Sequence, residues 1–173
     1  MNAEEFQALR ADPHPMLGVS MKIVPPTGRY DSDRLLNVAS NRWAVKPEIG
    51  SMIPITSKLL LEIQAGIWLF GHDDRYLPGN RRQEPILSME MHLVRRFQPG
   101  FWASLDANFF TGGRQTIGGQ RLGDVLRNSR LGATLVVPFA RRHAVKLGYA
   151  TGIVTNFGTN FDQYLIGYKL ILN

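Results

Sequence analysis

The sequence predicts an all-β protein, an antiparallel up-and-down β-barrel that spans a membrane with about eight strands. Three observations predict this fold. Apolar and polar residues alternate in eight separate segments, the connections between segments alternate between long and short, and the glycines inside the segments fall on the polar face. Strict alternation is typical of a strand whose two faces meet different surroundings. We divide the chain into an N-terminal segment, 1–16, with a short helix at 3–10, and a β-barrel domain, 17–173.

The first four predicted strands place apolar side chains at every second position. They cover 17–24, 41–50, 58–70 and 86–97. Their apolar side chains are Leu17, Val19, Met21 and Ile23; Trp43, Val45, Pro47 and Ile49; Leu59, Leu61, Ile63, Ala65, Ile67 and Leu69; and Leu87, Met89, Met91 and Leu93. Charged residues, other polar residues and glycine fill most positions between them, which gives the period of two of a strand.

The last four predicted strands keep the same period. They cover 101–110, 130–137, 145–149 and 163–172. Their apolar side chains are Phe101, Ala103, Leu105, Ala107 and Phe109; Leu131, Ala133, Leu135 and Val137; Val145, Leu147 and Tyr149; and Tyr164, Ile166, Tyr168, Leu170 and Leu172. Every segment is therefore compatible with a sheet that has one apolar and one polar face.

The predicted connections are long and short in turn. The long ones are 25–40, 71–84, 112–128 and 152–160, and the short ones are 50–56, 98–100 and 140–142. This is the plan of an outer-membrane barrel, in which the short turns face the periplasm together with both termini. The glycine-rich stretch at 111–120 has neither a lysine nor a helix signal of a phosphate-binding loop, so we expect a flexible loop.

The glycines indicate which face lines the interior. Gly18, Gly66, Gly132, Gly148 and Gly167 all lie mid-strand on the polar face, and such crowding favours the concave side of a curved sheet. The polar face then lines a wet lumen. The predicted lining residues are Lys22, Arg42, Lys46, Glu48, Lys58, Glu62, Gln64, Glu90, His92, Arg96, Asp106, Asn108, Arg130, Lys146 and Lys169. Their excess of cations predicts a preference for anions.

Aromatic residues on the apolar face favour the strand ends, as in the interfacial girdles of membrane barrels. We expect Trp43, Phe109, Tyr149 and Tyr164 near the long loops, and Phe97, Phe101 and Phe139 near the short turns. Tyr168 lies nearer mid-strand.

Composition excludes several classes of protein. The chain has 173 residues, a net charge of +6 and no cysteine, so disulfides and thiolate metal sites are excluded. No apolar run reaches the length of a membrane helix, and the first sixteen residues lack the pattern of a secretory signal. No nucleic-acid-binding motif is present, and we expect no cofactor and no metal. Asp31, Asp33, His72, Asp73 and Asp74 could hold a divalent ion, but they fit solvated loops better.

Basic loop residues suggest a lipid partner. Arg75, Arg81, Arg82, Arg114 and Arg121 would meet lipopolysaccharide phosphates if the long loops face outside, or would form a solubilising loop surface.

Two other classes of function stay open. A soluble eight-stranded binding barrel of lipocalin type also alternates, with its apolar face inside. Pairing across the turn at 98–100 puts His92 opposite Asp106 and Glu90 opposite Asn108, with Ser104 diagonal to His92. A hydrolase that uses His92 as its base is therefore the enzymatic alternative to a polar pair in the lumen.

Three stretches resemble one bacterial family. They are "PPTGRYDSDRLLNVASNRWAVKPEIG" (25–50), "LEIQAGIWLF" (61–70) and "LGATLVVPFARRHAVKLGYATG" (131–152). The matching residues are Pro26, Thr27, Gly28, Tyr30 and Asp31, then Asn41, Arg42, Trp43, Lys46, Pro47 and Glu48. The chain thereby resembles the MetA-pathway phenol-degradation family of transporter-like outer-membrane barrels.

The resemblance implies a bacterial outer-membrane location and passage of small solutes, including hydrophobic or aromatic compounds. It also implies contact with outer-membrane lipid and lipopolysaccharide, and with the barrel-assembly machinery during biogenesis. Members of this family usually carry a signal peptide and further N-terminal strands, so we expect this chain to be the C-terminal part of a barrel of about twelve strands. Asn173 departs from the terminal aromatic residue that the assembly machinery commonly recognises.

Overall fold

A computed structural model describes residues 12–34, 36–77 and 79–170. The helix predicted at 3–10, Leu172 and Asn173 lie outside the described residues. Every regular element in the described part is a β-strand, and no helix there is long and apolar enough to cross a membrane. The predicted all-β class is confirmed.

The described residues form eleven strands. They are β1 (Met16–Val24), β2 (Ala44–Thr56), β3 (Leu59–Phe70), β4 (Arg81–Gln83), β5 (Ile86–Gln98), β6 (Phe101–Gly112), β7 (Gln115–Ile117), β8 (Gln120–Arg121), β9 (Leu126–Ala140), β10 (His143–Val154) and β11 (Gln163–Leu170). Eight of them form one large sheet in the order β1, β2, β3, β5, β6, β9, β10, β11. All neighbours in it are antiparallel, so the large sheet is the predicted up-and-down meander.

The ends of several strands differ from those predicted. The second strand was predicted at 41–50, whereas β2 runs over Ala44–Thr56 and the chain reverses at Ser57 and Lys58. The short connection predicted at 50–56 was wrong, because this segment continues β2. Pro54 lies beyond the last β1 pairing and next to a register shift, where a missing N–H is tolerated. β9 and β10 are also longer than predicted, at 15 and 12 residues.

The predicted register between β5 and β6 is confirmed. His92 pairs with Asp106 and Glu90 pairs with Asn108. A register shift between Arg96 and Gln98 changes the partner of Phe101 from Phe97 to Gln98, as a bulge next to a tight turn does. Because this shift lies at the turn, it leaves the polar pairs in the middle of the strands unchanged.

Burial in the large sheet is the reverse of that in a soluble protein. On the polar face, Lys46 is 4% exposed and Ser88 is 1% exposed. On the apolar face, Leu105 is 64% exposed and Ile166 is 83% exposed. Within the strands of the large sheet, the only Lys, Arg, Asp or Glu side chains on the apolar face are Arg95 and Arg127, and both lie near strand ends. We call the polar side the concave face and the apolar side the convex face.

Two of the mid-strand glycines are sterically required. A Cβ at Gly66 would lie 2.8 Å from Glu48 Cγ, and a Cβ at Gly132 would lie 2.7 Å from the carbonyl oxygen of Tyr149. Gly18, in contrast, has open space around it. Crowding therefore explains Gly66 and Gly132, on the interior strands β3 and β9, and it does not explain Gly18 on the edge strand β1.

Two long loops form a second, smaller sheet, in which β4, β7 and β8 pair in that order. The loop after β3 supplies β4, and the loop after β6 supplies the hairpin β7–β8, with φ of 55° at Gly118 and 83° at Gly119. Positive φ at both central residues is the requirement of a type I′ two-residue hairpin turn. The expectation of a flexible loop at 111–120 was therefore wrong. We call β4, β7 and β8 the loop sheet.

The large sheet does not close on itself in the described part of the chain. β1 pairs only with β2, and β11 pairs only with β10, so each has a free edge. β1 begins and β11 ends beside the short turns at 57–58 and 141–142. We call this the short-turn end and the opposite end, where the loop sheet lies, the long-loop end.

The crowding at Gly132 predicts a position-specific loss of stability. Gly132→Val places its Cβ against a backbone carbonyl that cannot move alone, so the free energy of unfolding should fall by about 1–3 kcal/mol. Guanidinium unfolding of protein refolded in detergent micelles, followed by tryptophan fluorescence, measures it. Gly18→Val is the matched control and should show no loss. Equal losses at both positions would contradict the packing described.

Candidate solute pathway on the concave face

The middle of the concave face carries a buried charge cluster around Lys46. Its Nζ lies 2.5 Å from Glu48 Oε1 and 3.5 Å from Glu90 Oε1. These side chains come from β2 and β5 and meet across β3, above the backbone of Gly66, where any side chain would collide with them. The side chains of Lys46 and Glu48 are only 5% and 8% exposed, and their pairing offsets the cost of burying charge.

A second polar cluster is centred on Asp106. Its Oδ1 lies 2.6 Å from His92 Nδ1 and accepts a hydrogen bond of 2.8 Å from Ser104 Oγ, while its Oδ2 accepts one of 2.9 Å from Thr134 Oγ1. Three adjacent strands, β5, β6 and β9, supply these groups. The Asp106 carboxylate therefore links the middle of these strands on the concave face.

The order of these contacts bears on the hydrolase alternative. A serine nucleophile needs its hydroxyl hydrogen-bonded to the histidine, with the carboxylate on the other side of the ring. Here Ser104 donates to Asp106 itself. The cluster therefore has the residue types of a triad without the Ser-to-His hydrogen bond that would activate the serine.

Aromatic rings also lie on the concave face. Trp68 and Phe70 stack with ring centroids 6.3 Å apart, and the ammonium groups of Lys22 and Lys46 each lie 5.7 Å from the Trp68 ring. By register, Trp102 and Phe110 share this face. None of these four rings was predicted to line the lumen, although their even positions already put Trp68 and Phe70 on the same side as Glu62 and Gln64.

Arg42 connects the concave face to the loop sheet. Its guanidinium carbon lies 4.5 Å from the Phe70 ring centroid, its Nη2 donates to Gln83 Oε1, and the residue is 8% exposed. Burial, followed by the positive charge of Arg81, lowers the pKa of Arg42 to about 10. The residue stays charged at neutral pH, so the long-loop end holds a buried cation two residues before β2.

The other predicted lining residues divide by position. Strand register places most of them on the concave face: Lys22, Glu62, Gln64, Arg96, Asn108, Arg130, Lys146 and Lys169. Lys58 lies instead in the turn after β2. Arg96 donates to the carbonyl of Ser57 at 2.7 Å, and Arg130 donates to that of Phe161 at 3.0 Å. These two guanidinium groups are thus held at opposite ends of the wall.

Four aromatic residues of the convex face form two pairs on neighbouring strands. Tyr149 and Tyr164 have ring centroids 5.2 Å apart near the long loops, and Phe97 and Phe101 have centroids 4.7 Å apart at a short turn. Phe109 lies on β6 and Trp43 directly precedes β2. Tyr168, expected nearer mid-strand, hydrogen-bonds His143 and contacts Phe139 at the short-turn end, because β10 begins at His143.

The acidic loop residues do not gather into one site. Asp73 is 1% exposed, and its Oδ1 accepts hydrogen bonds from Asn41 Nδ2 at 2.9 Å and from the backbone N–H of Arg75 at 3.2 Å. Asp31 instead pairs with Arg34 at 3.1 Å. Across the described residues, no group of three His, Asp or Glu side chains is arranged to hold a metal ion. Asp73 therefore acts as a structural acceptor in its loop.

The basic loop residues differ in their contacts and in their exposure. Arg121 pairs with Glu84 and Arg75 donates to Asn41 Oδ1 at 2.7 Å. Arg81 is half-buried and donates to Gln115 Oε1 at 2.7 Å, whereas Arg82 on the opposite face of β4 is exposed. Arg82 is therefore accessible at the loop surface and Arg81 is less so, and contact of these residues with lipopolysaccharide stays a prediction.

Comparison with known proteins gives a family and a fold. The sequence profile of the family "Putative MetA-pathway of phenol degradation" matches residues 7–160. An outer membrane channel from Pseudomonas putida F1 matches the structure with a TM-score of 0.80 at 17% sequence identity. That match covers 89% of this chain and 58% of the channel, so the chain spans less than two thirds of the channel's length. No curated protein matches the sequence.

The Lys46 cluster predicts a strong effect from a single charge. Lys46→Met leaves Glu48 buried without its cation, so the free energy of unfolding should fall by about 3 kcal/mol. Denaturant titration in micelles measures it, and the added change Glu48→Gln should recover part of the loss. Lys22→Met, on the exposed part of the same face, should have little effect. A Lys46→Met protein as stable as the unmodified chain would contradict the pairing.

Proposed function

The chain belongs to the family described as the MetA-pathway of phenol degradation, and we propose that its large sheet forms the wall of an outer-membrane β-barrel channel for small solutes. The single observation that carries this proposal is the reversed burial of the two faces. Many leucine, isoleucine and valine side chains of the convex face are exposed, while Lys46, Ser88 and Ser104 on the concave face are buried. An apolar surface of this extent is unfavourable in water and is the expected surface in hydrocarbon.

Strand length supports the same conclusion. β2, β3, β5, β6 and β10 have 12 or 13 residues each. At about 3.3 Å per residue and a tilt of about 45°, such a strand covers about 28 Å along the membrane normal. This distance matches the apolar band of membrane barrels, about 25 Å tall. Arg95 and Arg127, near strand ends on the convex face, are then placed to reach lipid headgroups.

The soluble binding barrel would need the opposite arrangement. A barrel of lipocalin type buries its apolar face around a ligand and presents charge to water. Here the described strands hold Lys46, Glu48 and Asp106 on the more enclosed side and Leu105 on the open side. The burial pattern therefore favours the membrane channel over the soluble alternative.

The concave-face residues are proposed to set the selectivity of the channel. Arg42, Lys46 and the other predicted lining residues of the strands contain more cations than acids, which supports a preference for anions. Because Lys46 is paired with Glu48 and Glu90, the exposed cations Lys22 and Lys146, which have no ion-pair partner among the described residues, should contribute more to selectivity than Lys46 does. We assign no catalytic residue.

The solute class is proposed more narrowly from the family description together with the lining. Trp68, Phe70, Trp102 and Phe110 give the concave face apolar rings beside its charges, so small aromatic or other partly hydrophobic solutes suit it. The long loops would face outward and the short turns the periplasm, with Arg82 toward lipopolysaccharide. Outer-membrane lipid and the barrel-assembly machinery are the other proposed partners.

Ion selectivity tests the proposal directly. Lys22→Gln with Lys146→Gln removes two concave-face charges, so the chloride-to-potassium permeability ratio should fall about twofold or more. The reversal potential across a planar bilayer in a KCl gradient measures it. Arg95→Gln with Arg127→Gln removes two convex-face charges and is the matched control, with no expected change. Inserted protein without conductance, or equal shifts in both double variants, would contradict the proposed channel lining.

A further inference from the structure

Arg42 has a donor that its surroundings leave unused. Its Nη2 donates to Gln83 Oε1 and its planar group stacks on Phe70. Its Nη1 is buried and has no hydrogen-bond partner among residues 12–34, 36–77 and 79–170. A buried, charged N–H without an acceptor is costly. The guanidinium group of Arg42 is therefore fixed in position and can still donate a hydrogen bond from Nη1.

Arg81 is held in the same manner. Its Nε donates to Gln115 Oε1 at 2.7 Å, and its guanidinium carbon lies 5.0 Å from the Tyr76 ring centroid. Arg81 and Gln83 are alternate residues of β4, and Gln83 is paired with Gln115 on β7. The face of the loop sheet that contacts Arg42 therefore carries both acceptors, Gln83 for Arg42 and Gln115 for Arg81. Each acceptor is a neutral amide oxygen, so it does not neutralise the positive charge of its arginine.

The charges around the two arginines leave an excess of positive charge. Asp73 is an acid whose charge acts on Arg42, and its Oδ1 accepts from Asn41 and from the backbone N–H of Arg75. Asp124 Oδ1 accepts from the backbone N–H of Gln115 and its Oδ2 is buried without a partner among the described residues, so Asp124 contributes one negative charge, whereas Glu84 pairs with Arg121. In the described part of the chain, neither Arg42 nor Arg81 forms an ion pair with a carboxylate. Further positive charge comes from Arg75, which donates to Asn41, and from Arg114, which directly precedes Gln115.

We propose that Arg42 and Arg81 form a binding site for the carboxylate group of a small free solute at the long-loop end of the concave face. Guanidinium groups bind planar carboxylates through two parallel hydrogen bonds, and a rigidly stacked guanidinium loses little freedom on binding. Because Arg42 is 8% exposed, a small solute reaches it more readily than a bulky lipid headgroup does. The place of this site on a transport route rests on the proposed function, whereas carboxylate binding itself does not.

Binding is tested on the full chain refolded in detergent micelles, with acetate as the probe. Saturation-transfer NMR on the acetate methyl protons gives the affinity, and acetamide at equal ionic strength is the neutral match. Arg42→Gln and Arg81→Gln should each weaken acetate binding about tenfold or more, because each removes charge-assisted hydrogen bonds. Arg82→Gln removes the same charge from the exposed face of β4 and should leave acetate binding unchanged.

The outcomes separate this site from the channel. If the unmodified protein binds acetate and both Arg42→Gln and Arg81→Gln abolish this binding, the site is supported even if the protein shows no conductance in a bilayer. Acetamide bound as well as acetate, or Arg82→Gln as damaging as the other two, would overturn it. Far-UV circular dichroism checks that each variant is folded. If Arg42→Gln misfolds, Arg81→Gln alone decides, and unchanged acetate binding in that variant overturns the site.

Discussion

The structure depends on one constraint, that a sheet a single layer thick must find a suitable medium for each of its two faces. Soluble domains meet this constraint by packing a second layer on the apolar side. The large sheet has no such layer over its convex face in the described residues, and exposed side chains such as Leu105 and Ile166 fill that face. Hydrocarbon is the medium that makes such a face favourable, and the polar lining of the other face follows from the strict alternation along each strand.

On the concave face, charged side chains lie close together and must be paired or hydrogen-bonded. Long side chains from neighbouring strands meet over glycine, as Lys46, Glu48 and Glu90 meet over Gly66. Asp106 is surrounded by donors from three strands, so its charge is hydrogen-bonded on both oxygens. Within the described residues, this pairing leaves cations without a carboxylate partner near the long-loop end and on the more exposed strands, along the pathway proposed for a solute.

The alternation of side chains was sufficient to predict the meander, its two faces and the pairing of His92 with Asp106, because a period of two and one tight turn determine them. The loop sheet could not be predicted in this way. β4 and β7 have three residues each and pair across a separation of about thirty residues, too short for a periodic signal and too distant for a hairpin signal. Gln83 was consequently not recognised as a partner of Arg42, and Gln115 was not recognised as a partner of Arg81. Trp68 and Phe70 were overlooked although their even positions place them on the concave face.

The most direct test of the account is which medium touches each face. The chain has no cysteine, so Lys146→Cys and Leu147→Cys each carry one site for a spin label, on adjacent residues of β10 that face opposite ways. In lipid bilayers, the label at 147 should collide more often with dissolved oxygen and the label at 146 more often with a water-soluble nickel complex. Frequent collisions of the label at 147 with the nickel complex, equal to those at 146, would contradict the account.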